Sequence, residues 1–248
     1  MAWGEGAGEP DEMRGVWRGT QDCVHCGLCL TQCPTYLTTW VEMSSPRGRI
    51  WMLRALEEGE AALSSTTVRH LDQCVGCLAC AEACPSQVPY AGLLEAARET
   101  IERSFPRPAT DRWLRWLLVN LFPYPRRLAP ALAVLRWYQR LGLSAWLRRS
   151  RLLPRLAPRL AGMEALLPDI PAPRERRPLP RVSRSCSPRR GTLGLLTGCA
   201  QRYLMPELNQ ATVRVLTRAG YDVVAPPEQG CCGALHVHQG RLGEARQC

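Results

Sequence analysis

Residues 23–34 read CVHCGLCLTQCP, and residues 74–85 read CVGCLACAEACP. Both fit CxxCxxCxxxCP, which sets Cys23, Cys26, Cys29 and Cys33 before Pro34, and Cys74, Cys77, Cys80 and Cys84 before Pro85. Three thiols at two-residue steps wrap a tight loop around one face of a cubane and leave its fourth vertex open. This is the spacing of 4Fe-4S ligation, in which the fourth cysteine serves the other cluster when two are present. A cysteine three residues farther on, followed by a proline that redirects the chain, is poorly placed to close its own loop but reaches a neighbour. The spacing therefore assigns Cys23, Cys26, Cys29 and Cys84 to one cluster, and Cys74, Cys77, Cys80 and Cys33 to the other. The crossing holds the two close enough for an electron to pass. Small residues such as Gly27, Gly76 and Ala79 let backbone amides approach the sulfides. Structural zinc competes, but it usually takes paired CxxC knuckles, so the third cysteine and the Cys-Pro step are redundant in both copies.

The chain has 248 residues, 13 cysteines and a formal charge of +10, and every basic residue is arginine. The charge is uneven: 8 arginines face 14 acids up to Arg103, 19 face 4 from Ser104 to Arg190, and 5 face 4 beyond. The first fifteen residues, MAWGEGAGEPDEMRG, are acidic and glycine-rich, without the apolar segment of a secretory signal or the basic character of a transit peptide. WLRWLLVNLFPYP, residues 113–125, is broken by Arg115 and closed by prolines well short of a bilayer span. The expectation is a cytoplasmic protein, at most peripheral on the inner face of the membrane. In that setting abundant cysteine favours metal ligation or redox chemistry over a disulfide framework.

The stretch between the two runs reads as helix. In SSPRGRIWMLRALEEGE, Ser45 is a candidate cap, Pro46 suits the first helical position, Ile50, Leu53 and Leu56 recur at helical spacing, and Gly59 ends the element. After the second run, Leu93, Ala97 and Ile101 share a face. These signals favour a mainly α two-cluster domain over residues 1–104, of α-helical ferredoxin-like type. Arg47 and Arg49 stand near the first run, where each could tune a potential or dock a partner, or simply face solvent. His25 and His70 read as polar neighbours of the runs.

Residues 105–190 form an Arg- and Pro-rich linker in which short amphipathic helices carry Trp113, Trp116, Trp137 and Trp146, followed by an extended stretch from Pro168 to Gly191. Arginine with tryptophan suits an acidic membrane surface or a partner subunit, although a solvated connector fits as well. No nucleic-acid module accompanies the charge, so a nucleic-acid partner is not expected. Cys186 in this stretch reads as a free thiol. Residues 191–248 switch to α/β patterning: a strand over 192–197, Cys199 at its end, a helix opened by Pro206 and carrying Leu208, Thr212, Val215 and Ala219, then a second strand in YDVVAP. A strand-helix-strand passage makes the two strands parallel, so Cys199, Cys231 and Cys232 meet at one sheet edge, as an incomplete metal or redox site in a partial βαβ domain.

In order, DCVHCGLCLTQCPTY, SPRGRI, HLDQCVGCLACAEACPS, GCAQ and GCCGALHVH resemble the iron-sulfur subunit of glycolate oxidase (glycolate dehydrogenase), within the larger group that has two ferredoxin runs followed by CCG modules. The resemblance covers nearly the whole chain. It implies an oxidoreductase component with two 4Fe-4S clusters and no catalytic residues of its own. Electrons would arrive from an FAD-containing partner subunit that oxidises glycolate, and leave towards an acceptor such as quinone. Related layouts in anaerobic glycerol-3-phosphate dehydrogenase, lactate-oxidising systems and heterodisulfide reductases keep the relay and change the donor. In the family the CCG module continues to a further cysteine and is repeated. Cys248 comes too early to match that cysteine, so the resemblance implies a C-terminally truncated subunit.

Overall fold

The computed structural model describes residues 17–150 and 152–248; the acidic N-terminal stretch discussed above lies outside the described residues. The chain divides into two compact units. One contains residues 17–112 with Gly233–Gln247, the other residues 113–232 with Cys248. The division falls within the helix Ala109–Leu121.

The first unit is all helical among its described residues: Pro34–Thr39, Pro46–Glu57, Ser65–Asp72, Ala79–Glu82, Tyr90–Ser104, Ala234–His238 and Leu242–Ala245. Pro46–Glu57 starts as the sequence suggests. Ser45 Oγ accepts from the Gly48 N–H at 2.9 Å, satisfying one orphan donor of the first turn, and Pro46 fills N1. Ser64 caps the next helix in the same way through the Thr67 N–H at 3.2 Å. Gly59 adopts φ +75° just past the end of Pro46–Glu57. Ile50, Leu53 and Leu56 from one helix, Val68 and Leu71 from the next, and Leu93, Ala97 and Ile101 from Tyr90–Ser104 form a single buried cluster with Trp17. Each such aliphatic side chain contributes roughly 1.5–3 kcal/mol on burial. The cysteine runs are the loops held at the rim of this cluster, with Cys23, Cys29, Cys74 and Cys84 packed against it.

Gly48 explains the tight entry into Pro46–Glu57. A Cβ there would stand 2.0 Å from the Glu42 carbonyl oxygen, so only glycine lets the helix lie against the turn at Glu42–Ser44. Arg107 fastens the far side: its guanidinium donates to both carboxylate oxygens of Asp72, at 2.6 and 3.2 Å, and its Nε to Glu102 at 3.1 Å.

The second unit begins with the helical stretch that includes Pro125–Arg140, Leu143–Ser150, Leu152–Leu156 and Pro158–Ala165. Leu128, Leu132 and Ile170 form its small buried cluster. Gln139 secures the return of the chain, donating to the Pro168 carbonyl and accepting from the Ile170 N–H, both at 2.9 Å. The side chains of Trp113, Trp116, Trp137 and Trp146 point to solvent, each between 53% and 67% exposed. Among the described residues no helix is long and apolar enough to cross a membrane.

The remainder is a three-stranded sheet of order β1-β3-β2, with β1 Val182–Ser183, β2 Gly191–Gly194 and β3 Tyr221–Val224. β2 runs parallel to β3, in the register Leu193 to Val223, with the helix Pro206–Arg218 between them in sequence. Three details depart from the sequence reading. The extended stretch supplies an edge strand: β1 pairs antiparallel with β3, Val182 opposite Val224. β2 ends earlier than expected, because the Gln229 side chain takes the Leu195 carbonyl (2.8 Å) and the Thr197 N–H (2.8 Å), while Asn209 takes the Thr197 carbonyl (2.9 Å). The chain therefore curls away before Thr197. In Pro206–Arg218 the buried positions are Pro206, Asn209 and Thr217, whereas Leu208 and Val215 are exposed.

Candidate metal centre

The two cysteine loops share one backbone design. His25 (φ 55°) and Gly27 (φ 83°) flank Cys26; Gly76 (φ 67°) and Leu78 (φ 58°) flank Cys77. Each loop thus places a left-handed residue on both sides of its second cysteine, with glycine at one position in each copy. Left-handed backbone carries little cost for glycine and a real one for His25 and Leu78. The loops accept that strain to curl three thiols inwards.

Cys23, Cys26, Cys29 and Cys84 line one cavity, together with Cys80, Arg47, Ile50 and Val88. Cys33, Cys74, Cys77 and Cys80 line a second, together with Thr35 and Arg49. Cys33 of the first run thus lies with the second loop, and Cys84 of the second run with the first. Pro46, Cys80 and Tyr90 border both cavities, so the two are neighbours.

The hydrogen bonds converge on sulfur. Arg47, in the first turn of Pro46–Glu57, gives its free backbone N–H to Cys29, and Tyr36, in the first turn of Pro34–Thr39, gives its own to Cys33. The Thr35 hydroxyl stands 3.2 Å from the Cys33 sulfur, the Arg49 Nη1 donates to it at 3.9 Å, and the Tyr90 hydroxyl donates to the Cys74 sulfur at 3.5 Å. Arg98 Nη2 holds the Cys74 carbonyl at 2.5 Å. Burial pushes the Cys80 thiol up to about 12, helped by the neighbouring Cys74, Cys29 and Cys33 sulfurs, and burial also raises Cys29. Burial pushes Cys33 up too, but the Thr35 hydroxyl, the Tyr36 N–H and the Arg49 guanidinium outweigh it and hold this thiol below its ordinary value.

This donor set fits an iron-sulfur cluster at each cavity. Four thiols stand around each space, amide and side-chain donors point at sulfur, and thiols that burial keeps protonated surrender their protons when a metal takes their place. A zinc ion could also accept four thiolates at each place, so what favours the clusters is the repeated CxxCxxCxxxCP spacing with its crossed fourth cysteine.

Of the nearby charged residues, Arg47 is partly exposed and its Nε is paired with Glu42 at 2.8 Å. Arg49 is completely buried, contrary to a surface reading. His70 is buried as well, its Nδ1 2.9 Å from the Ser44 hydroxyl, and burial and nearby Arg69 lower its proton affinity. His25 lines the first cavity.

In the second unit, Cys199 opens the helix Cys199–Leu204. Burial raises its thiol first of all, and Cys231 and Cys232 raise it further by charge, so the three stand within electrostatic range of one another. Cys248, which the sequence reading set aside, lies beside the same loop, with its carbonyl oxygen 3.7 Å from where a Cβ on Gly230 would stand. Cys186 is an exposed free thiol.

Three family descriptions match in sequence order: "4Fe-4S dicluster domain" over residues 19–88, "Glycolate oxidase iron-sulfur subunit, linker region" over 110–167 and "Cysteine-rich domain" over 193–248. The linker match decides between the relatives that share the cysteine runs. The chain belongs to the family of the glycolate oxidase iron-sulfur subunits. It is 38% identical over 228 residues to the probable glycolate oxidase iron-sulfur subunit of Bacillus subtilis, an alignment that takes in 91% of this chain and 51% of that protein. To the glycolate oxidase iron-sulfur subunit of Escherichia coli it is 37% identical over 221 residues, 87% of this chain and 47% of that one. A shorter stretch of 50 residues, 20% of the chain, is 40% identical to 10% of a fumarate reductase (CoM/CoB) subunit of Methanothermobacter marburgensis. The chain therefore spans about half the length of its family relatives. No solved structure matches it.

Proposed function

We propose that this chain relays single electrons within a glycolate-oxidising flavoenzyme complex. Cys23, Cys26, Cys29 and Cys84 hold one 4Fe-4S cluster, and Cys33, Cys74, Cys77 and Cys80 hold the other. The observation that carries this reading is the pair of adjacent cavities, each of which gathers all four cysteines of one crossed set with Cys80 bordering both, in a chain similar over 91% of its length to a probable glycolate oxidase iron-sulfur subunit. When bound, such clusters take up and release one electron each, at potentials spanning roughly −700 to +450 mV according to their surroundings.

The chain's own residues prepare those surroundings. Helix N-termini and the Thr35 and Tyr90 hydroxyls supply donors to thiolate sulfur, and the apolar wall formed by Ile50, Val88 and Pro46 limits water around the first cavity. Glycolate oxidation itself falls to an FAD-containing partner subunit, and the electrons pass on to an acceptor such as quinone. The Arg- and Trp-bearing helices of the second unit supply a contact to the inner membrane surface or to a quinone-reducing partner. Cys199, Cys231 and Cys232 form part of a third, incomplete metal or redox site.

Anaerobically reconstituted protein is expected to carry about eight irons per chain, as two cubanes require. Mixed with the flavin subunit, its visible cluster absorbance should bleach on addition of glycolate. About four irons would overturn the ligand assignment, and bleaching by glycerol 3-phosphate but not glycolate would transfer the relay to another donor.

A further inference from the structure

We infer that Arg49 is a positioning residue that sets the redox balance between the two sites: its buried guanidinium selectively favours the reduced form of the cluster held by Cys33, Cys74, Cys77 and Cys80. This rests on the ligand sets proposed above. Arg49 is 0% exposed. Its Nε donates to the His70 carbonyl at 2.8 Å, its Nη2 to the Thr35 hydroxyl at 3.0 Å, and its Nη1 to the Cys33 sulfur at 3.9 Å. Among the described residues no carboxylate is paired with it. A buried cation facing neutral acceptors is strongly unfavourable unless an anion stands nearby, and a cube bound by four thiolates is that anion.

Arg47 makes the contrast. It borders the other cavity, but it is partly open to water and already paired with Glu42. Its charge is therefore screened and largely spent, whereas that of Arg49 acts through a low-dielectric interior. One-electron reduction of a cube, by reduced flavin in the complex or by dithionite in a titration, adds one negative charge and breaks no bond to the protein. A fixed positive charge beside only one cube stabilises the added electron there and raises that potential alone. The three hydrogen bonds lock the fork, so the charge cannot swing away as the cube changes state.

The test is a redox titration of the full chain followed by electron paramagnetic resonance, with iron counted in each sample. Cys33→Ser identifies which one-electron wave belongs to the second site. In Arg49→Gln carrying about eight irons, that wave should shift at least tenfold against reduction, equivalent to 59 mV, while the other wave stays in place; Arg49→Lys should stay near wild type. Waves that do not move in Arg49→Gln, or that move equally, overturn the inference. If Arg49→Gln holds only about four irons, full loading of Arg49→Lys supports a role for the charge, and equal loss in both variants overturns it in favour of a purely structural fork. Wild-type protein with about four irons would instead sink the ligand reading itself, a different result from eight irons with unmoved waves.

Discussion

Single residues set the most decisive features of this chain. Arg49 and Arg47 are two positions apart and indistinguishable by composition, yet one is buried and the other meets water, because Pro46–Glu57 turns Arg49 towards Thr35 and His70 and Arg47 towards Glu42. A single arginine in a basic helix reads as surface, and only the fold separates the two. Asp222 is another residue fixed by its partners. The Ser185 N–H (2.8 Å) first, and then Arg184 (2.9 Å) and Arg189 (3.1 Å), hold its carboxylate below the ordinary value of 3.8. A depressed folded value adds stability above the unfolded one and loses it as pH falls through the folded one. Asp222→Asn should therefore lower the urea midpoint of the second unit at neutral pH, with the gap from wild type closing progressively below pH 3.8. A gap that persists unchanged in acid would show that the contribution of Asp222 is not ionic.

At the scale of elements, legibility followed the range of the interactions. The helices Pro46–Glu57 and Tyr90–Ser104 were readable because their caps and apolar spacing are local. β1 was not, since a two-residue strand exists only through pairing with β3 some forty residues later. The early end of β2 was hidden for the same reason: it depends on the side chains of Gln229 and Asn209. The cysteine runs were legible because their spacing is imposed by ligation, but the left-handed residues at His25 and Leu78 carried no signal of their own. Arg107 ties Ser65–Asp72 to the end of Tyr90–Ser104 through Asp72 and Glu102 while itself buried. Arg107→Ala removes the buried guanidinium that bridges Asp72 and Glu102, although Arg241 remains 3.7 Å from Glu102, and is expected to cost about 3 kcal/mol, read as a lower denaturation midpoint of the first unit. A loss below about 1 kcal/mol would place the pair with ordinary surface bridges.

For the whole molecule, charge and cysteine are segregated along the chain. The acidic part up to Arg103 carries the two cysteine runs, and the basic middle carries solvent-facing tryptophans. That exposure has a photophysical consequence. Of the described indoles only Trp17 is buried, so the intrinsic fluorescence should be dominated by rings relaxing in water, with long-wavelength emission readily quenched by acrylamide. Vesicles of anionic lipid, or the flavin subunit, should shift the emission to shorter wavelength and slow the quenching when they cover Trp113, Trp116, Trp137 or Trp146. A spectrum indifferent to both would mark these rings as a solvated surface, and would report it without any label being attached.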